Sequence, residues 1–505
     1  MSVSKNFFKY FLVFSLVLIG LLCISTWASG AIYYVATNGD DDNPGTEARP
    51  WQSVDKAADT MEAGDTVYIK QGNYSGFMVS RSGTADNYIS YLAYPGDTPI
   101  VGQIYFGEGA SYNKFVGLEI TPASGGGVIM DHNNDHNIIS NCHIHQSASV
   151  GVDLSGGSDF NIVEDCEVHD CHYAFHTSGT TNKGNVFRRN VCYNISDDGF
   201  NFSPSTKDTQ LIDNVIYNVD WDGSGEADGI HLYDDGTAIV RGNLVYIDGA
   251  STGGVFWIHG GSNHIIENNT FVGLPGFSTD YGAIIWLEFT SNVILKNNIG
   301  YSSDGSIGVL MGINSSTNDD YNDWYNSANH SMCVRYGGEW KSVSDYQRED
   351  GRGLHCISED PEFIDFEKPD FNFHLLPDSP CKDTGENGAE MGAYGVAIPD
   401  SGNGEEETKV RNQPNPFKAG IGKTYMVYDL KQSSNVIITI YDLLGQEVWR
   451  KSYEAGENGG REDNNIVTWD GRNLSGEVVG NGGYICRIWV ERENRYMVGK
   501  IAVAK

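Results

Sequence analysis

Short apolar–polar runs recur along the middle of this chain. Gly127-Val128-Ile129-Met130, Gly151-Val152-Asp153-Leu154, Ala174-Phe175-His176-Thr177, Gly199-Phe200-Asn201-Phe202, Gly229-Ile230-His231-Leu232, Val255-Phe256-Trp257-Ile258 and Ile284-Ile285-Trp286-Leu287 follow one template. Strand side chains alternate between two faces, so the second residue of each run packs inward and the third points out. A second set of runs lies between these and opens on Asn141, Asp165, Asn190, Asn214, Asn243, Asn269 and Asn298. Members of this set are 24 to 29 residues apart. That period fits one coil of about three short strands and their turns, at ~3.3 Å of rise per residue. The pattern predicts a parallel β-helix. Its Asn residues would stack at one corner and bond from rung to rung, a structural role.

The flanks read differently. Val54 to Met61 has the pattern of a short amphipathic helix. Placed before the first strands, it would cap the open end of a solenoid. The repeat fades after about Gly312, and Tyr321, Trp324, Tyr325 and Trp340 are expected to cover the far end or one flank. Residues 398–409 (IPDSGNGEEETK) have the composition of a linker. From Val410 on, short strands alternate with turns: Thr424–Leu430, Asn435–Tyr441, Glu447–Tyr453, Ile466–Trp469, Gly483–Glu491 and Tyr496–Ala504. About a hundred residues of that kind predict a β-sandwich.

Composition narrows the class. A chain of 505 residues is too long for one ordinary core. Its 61 Gly suit a fold rich in tight turns. A net charge of −34 leaves nothing to neutralise phosphates, which excludes nucleic acid as a partner. Residues 1–30 read as a secretory signal: Lys5 and Lys9 precede an apolar core from Phe11 to Ile24, and Ala28-Ser29-Gly30 closes it. Residues beyond it contain no run long enough to cross a bilayer, so a secreted or cell-surface monomer is expected. Cys23 leaves with the signal, and the other eight Cys lack metal-type spacing. Cys142 and Cys166 fall at equivalent positions of adjacent coils and are expected to stack as buried thiols.

Three strings carry resemblances. YYVATNGDDDNPGTEARPWQSVDKAADTMEAGDTVYIKQGNY resembles the opening of many secreted bacterial β-helix proteins that act on polysaccharides. Asp360-Pro361-Glu362-Phe363 through Met391-Gly392-Ala393-Tyr394 resembles their closing segment. Gln413-Pro414-Asn415-Pro416-Phe417, Ile440 to Gly445, Thr468 to Arg472 and Gly483-Tyr484 resemble the Ig-like C-terminal domains of type nine secretion, and the related domain of flagellar hook-cap proteins. Together they imply an all-β chain, a right-handed parallel β-helix (solenoid) over 31–397 followed by a small C-terminal Ig-like β-sandwich over 410–505. The second domain would engage the secretion machinery.

The candidate chemistry sits between Asp197 and Tyr233. Two strings there, Asp197-Asp198-Gly199-Phe200-Asn201-Phe202 and Asp228-Gly229-Ile230-His231-Leu232-Tyr233, put acid before equivalent strands on successive coils. Carboxylates that close either raise a pKa or recruit a cation. The outward column Ile129, Asp153, His176, Asn201, His231, Trp257, Trp286 would form a groove for a chain polymer, with indole rings stacking on sugars. The DDGFNF string resembles the calcium-binding rung of family nine pectate lyases. That resemblance implies Ca²⁺ held at Asp197 and Asp198, and β-elimination on an acidic polysaccharide; Asp228, at the entry to the equivalent strand of the next coil, is the third candidate ligand. The lyases carry a Lys base where this chain has His231. His231, His176 and Asp228 are therefore the catalytic candidates, and Asn201, Tyr233, Trp257, Trp286 and Arg241 the substrate-binding ones. Lys207 and Arg241 are reserve bases. The alternatives are a glycoside hydrolase using paired carboxylates such as Asp198 with Asp228, and a carbohydrate-binding surface protein without catalysis. Asp-Gly before a strand is also a plain turn signature, with Gly at positive φ. His143 and His145 have no expected partner.

Overall fold

The computed structural model describes residues 30–179, 181–220, 227–234, 236–247, 253–274, 282–365, 372–376, 379–393, 410–413, 417–420, 422–430, 432–442, 447–493 and 495–504. The signal-type segment up to residue 29 and the 398–409 linker lie outside them. The chain divides into two compact units, Met1–Pro399 and Asp400–Lys505.

The first unit is a stack of coils whose strands pair in parallel with their equivalents in the next coil, followed by a small antiparallel pair, Phe363–Asp365 with Asn372–Leu375. Among the described residues, one sheet of twelve strands runs from Ile32–Val35 to Thr317–Asp320. A second, of 21 strands, forms the remaining faces. Long strands such as His143–Leu154 and Glu167–Thr177 carry it round the corner between those faces. Inward positions such as Phe175, Phe187, Phe200 and Ile230 are fully buried in one continuous apolar core. Burial of that kind stabilises by roughly 25 cal/mol per Å² of apolar surface.

Each corner turn would strand a buried backbone N–H, and the Asn ladder resolves this. Asn243 Oδ1 accepts from the Asn214 backbone N–H at 3.0 Å and from its Nδ2 at 2.9 Å, while Asn243 Nδ2 donates to Leu211 O at 2.8 Å and Asn269 Oδ1 at 2.9 Å. Each orphaned buried group costs roughly 1–3 kcal/mol. Asn243→Ala is therefore expected to lower the melting temperature by several degrees, against no change for Asn318→Ala on an exposed strand position. Equal effects of the two would remove the ladder's structural role.

Three expectations need correction. The column that begins the ladder is occupied by Cys142 and Cys166, not by Asn141 and Asp165: the Cys166 N–H donates to Asn190 Oδ1 at 3.0 Å. Asn141 and Asp165 sit one residue earlier, in the left-handed region at φ 50° and 54°. Both thiols are buried and free, as are the other described Cys. The coil also continues past Gly312, through Thr317–Asp320, Asp323–Asn326 and Val334–Tyr336, with Asn322 extending the ladder. Those residues were hard to read because Asp319, Asp320 and Asp323 break the apolar alternation. Trp324 is fully buried in that coil and covers nothing from outside.

At the start of the stack, the helix Val54–Thr60 is capped by the Ser53 side chain, which accepts from the Lys56 N–H, and buries Val54, Ala57 and Ala58. A second helix, Val343–Asp350, follows the last coil and buries Val343 and Tyr346. Phe363, Phe373, Leu375 and Met391 then pack outside the stack on Tyr217, Leu244, Tyr246 and Ile299. This returning segment explains why those outward positions are apolar.

Among the described residues, the second unit holds two sheets. Arg411–Gln413, Thr424–Leu430 and Asp463–Trp469 form one. Phe417–Lys418, Arg495–Ala504, Gly482–Val490, Val436–Asp442 and Glu447–Tyr453 form the other. Met426, Tyr428 and Trp469 of the first share one apolar core with Ile438, Ile440, Cys486 and Ile488 of the second.

Candidate active site

The outward column forms in the expected register. Ile129 pairs with Asp153, Asp153 with His176, His176 with Asn201, Asn201 with His231, His231 with Trp257, and Trp257 with Trp286. Each of these residues is partly exposed between buried neighbours.

The acids come together beneath this column. Asp198 and Asp228 are only 3% and 4% exposed. Each spends one oxygen on scaffold: Asp198 Oδ1 accepts from the Asp228 N–H at 2.5 Å, and Asp228 Oδ1 accepts from the Gly254 N–H. Each aspartate thus clips its coil to the next. The remaining oxygens converge on His231, whose Nδ1 is 3.4 Å from Asp228 Oδ2 and 3.7 Å from Asp198 Oδ2. Asn201 Nδ2 donates to Asp198 Oδ2 from the same side. Asp198, Asp228 and His231 each offer one ligand atom, all within 4.8 Å of one another.

The glycines after these acids act by close approach, not by turning at positive φ. A Cβ on Gly199 would lie 2.6 Å from Gly229 O, and one on Gly229 would lie 2.4 Å from Val245 Cγ1. Only a hydrogen leaves room for the next coil, and that spacing sets one acid above the other.

Electrostatics follow from this burial. Desolvation, then the charge of Asp198, pushes Asp228 up to about 7, although His231 pulls the other way. Asp197 is raised by burial and by Asp198; its partners are the Tyr173 hydroxyl and His172, whose Nε2 is 3.4 Å from Asp197 Oδ2. Asp197 thus reaches the previous coil through His172 and Tyr173 while still meeting the Asp198 carboxylate. Neither His172 nor Tyr173 was singled out in the sequence. The repeat held a signal for Tyr173, because it precedes Ala174 as Asp198 precedes Gly199 and Asp228 precedes Gly229.

His231 also joins an aromatic wall. Its ring stacks on Trp257 at 4.2 Å, and Trp257 stacks on Trp286 at 4.8 Å. Tyr233 leans on His231 at 5.0 Å and on His259, a further residue missed in the sequence, at 4.5 Å. His231 Nε2 is covered from solvent and has no hydrogen-bond partner among the described residues. His176 lies two rungs away, with Nδ1 3.2 Å from Asp153 Oδ1. Arg241 is not brought to this face: it ends Ile239–Arg241 of the twelve-stranded sheet and pairs with Glu267. Lys207 ends the strand Phe200–Lys207 and pairs in register with Lys183.

Fold and column define a parallel β-helix with an acid–histidine–aromatic strip on one face. Residues 33–280, just under half of the chain, match the sequence model of the family described as Pel9A-like, right handed beta helix region. Pectate lyase PEL9 of Emericella nidulans is 34% identical over 88 residues, 15% of this chain and 22% of that protein. The uncharacterized protein YwoF of Bacillus subtilis is 34% identical over 74 residues, 14% of this chain and 16% of that protein. The matches thus span about a fifth of the length of these curated relatives. Among solved structures, pectate lyase Pel9A superposes with a TM-score of 0.50 at 15% identity, over 74% of this chain and 98% of that one. At that identity the likeness is one of fold.

Proposed function

We propose that this chain is a polysaccharide lyase that cuts a uronic-acid-containing polymer by Ca²⁺-assisted β-elimination. The observation that carries this reading is the convergence of two nearly buried carboxylates on His231 at the head of an aromatic strip. The donor set fits a hard cation. Burial, and then the like charge of Asp198, hold Asp228 near 7, a penalty that a bound cation would relieve. Asp198 and Asp228 would hold Ca²⁺, with Asp197 beside them. When bound, Ca²⁺ would neutralise the substrate carboxylate and stabilise the carbanion-like state at C5.

The chain's own residues do the rest. With its Nδ1–H turned to Asp228 and Asp198, His231 keeps its lone pair on Nε2. Nε2 takes the C5 proton, the C5–H electrons become the C4=C5 double bond, and the C4–O bond breaks. His176, oriented by Asp153, returns a proton to the leaving oxygen. Because Nε2 is covered at rest, productive binding turns the His231 ring or lifts Trp257. Trp257, Trp286 and Tyr233 stack on the sugars, and Asn201 binds a hydroxyl. The segment 1–30 and the C-terminal unit support a secreted monomer whose 410–505 domain is an Ig-like sorting module. Fusing that segment to an exported reporter tests the sorting role.

One observation favours a second reading. A carboxyl near 7 is suited to a general acid, so Asp228 with Asp198 or Glu288 could hydrolyse a glycosidic bond. Incubation with pectate, alginate and chondroitin-type polymers, with Ca²⁺ or with chelator, separates the two. Lyase action gives an ultraviolet-absorbing 4,5-unsaturated product that chelator abolishes. New reducing ends without that absorbance would establish hydrolysis, and binding without either product would leave a lectin-like protein. The double variant Asp197→Ala/Asp198→Ala is expected to lose the Ca²⁺-dependent rate by at least about 100-fold. A rate that survives it removes the metal assignment.

A further inference from the structure

A second convergent cluster lies on the neighbouring face, near the start of the stack. Glu119, His143 and Glu167 form one column across three consecutive coils, and His145 and His169 form the next. Both trios, Glu119–His143–His145 and His143–Glu167–His169, bring a ligand atom from each member within 4.8 Å of the others. His143 Nε2 and His169 Nε2 face each other at 2.6 Å, and His145 Nε2 is 3.2 Å from Glu119 Oε1.

These histidines have no partner in the linear pattern because the residues that meet them belong to other coils. The same columns change character farther along the stack. Beyond Val191 the first becomes Val215, Leu244, Thr270 and Ile299, part of it packed against Phe363, Phe373, Leu375 and Met391. Stacking of His145 on His169, and of His169 on Tyr193, accounts for two imidazoles as members of an aromatic ladder. His143 joins the ring cluster from the other column, stacking on His145 at 4.2 Å and leaning on His169 at 4.8 Å, but stacking does not explain why it stands in register between two glutamates.

The surroundings are those of metal ligands. His169 Nδ1 is 2.8 Å from Asp170 Oδ2, which fixes the tautomer with the Nε2 lone pair directed at His143. Tyr193 donates to Glu167 Oε1 at 2.7 Å and holds that carboxylate in place. Two imidazoles with a carboxylate, of which His169 and Glu167 are held by outer partners, suit zinc-type ions at about 2.0–2.2 Å better than Ca²⁺, which prefers oxygen alone.

We propose that His143, His169 and Glu167 bind one divalent transition-metal ion of the zinc class, with His145 and Glu119 beside it, so that the ion staples consecutive coils. Binding displaces the proton shared between the two Nε2 atoms and moves the rings slightly apart.

The test uses the full-length chain, stripped with chelator and titrated with Zn²⁺ by calorimetry. Co²⁺ absorbance serves as an independent probe of nitrogen ligation. One equivalent of Zn²⁺ should bind with proton release and raise the melting temperature. Asp170→Asn should weaken binding about 10-fold or more, and His143→Ala and His169→Ala should each weaken it further. His169→Gln, close in size, serves where the alanine variants fold poorly. Asp198→Asn/Asp228→Asn should bind Zn²⁺ like the parent. The proposal is overturned by absence of saturable Zn²⁺ uptake, by uptake unchanged in the histidine variants, or by uptake lost only in the aspartate pair.

Discussion

Replacing His231 with alanine is expected to lower kcat on the uronate polymer by about 10²–10⁴-fold, the usual weight of a positioned general base. Its outward ring is not part of the core, so the variant should fold and keep its Ca²⁺-induced rise in melting temperature. His231→Lys is the informative partner. It installs the residue that the resembling lyases carry at this point, and should retain cleavage with its optimum displaced upward, because a lysine loses its proton at higher pH. Unchanged kcat in His231→Ala would transfer the base role elsewhere on the strip, with His176 the next to test.

The second large effect concerns pH. Asp228 is held near 7 in the folded chain, against about 3.9 when unfolded. Between those values the folded state keeps a proton that the unfolded state has lost, so this group's contribution to stability declines as pH rises from about 4 to about 7. The decline is on the order of 4 kcal/mol. Asp228→Asn keeps an oxygen for the Gly254 N–H and removes the charge. It should melt higher than the parent at pH 8 without metal, and about the same at pH 4. Ca²⁺ offsets the same repulsion, so it should raise the parent's melting temperature strongly at pH 8 and little at pH 5. Equal shifts at both pH values, or an undiminished shift in Asp228→Asn, would mean that Ca²⁺ binds elsewhere.

The two aspartates explain why structural and functional readings of an Asp-Gly pair are hard to separate. At Asp198 and Asp228 one oxygen clips coil to coil and the other faces His231. Truncation to alanine removes both functions, whereas asparagine removes only the charge. Comparing the two substitutions at each position therefore divides scaffold from chemistry.

Much of this protein follows from local rules. Strand alternation gave the outward column from Ile129 to Trp286 its register, because one face of every strand must be buried and a slip by one residue would expose the core. The strands of the second unit, and the helix at Val54, were legible for the same reason: propensity, capping and burial agree within each segment. Tertiary structure decided whatever depends on the distance between coils. It moved the ladder from Asn141 and Asp165 onto Cys142 and Cys166, since only the residue that faces the corner can reach the next N–H. It extended the stack through the acidic coil at Asp319–Asp323. It set Arg241 on another sheet, turned Asp197 toward His172 and Tyr173, and gathered His143, His169 and Glu167 from separate coils. A one-dimensional pattern reports which side of a strand a residue occupies. Which side chains meet across coils depends on turn lengths and side-chain rotamers, and these are fixed only when the coils stack.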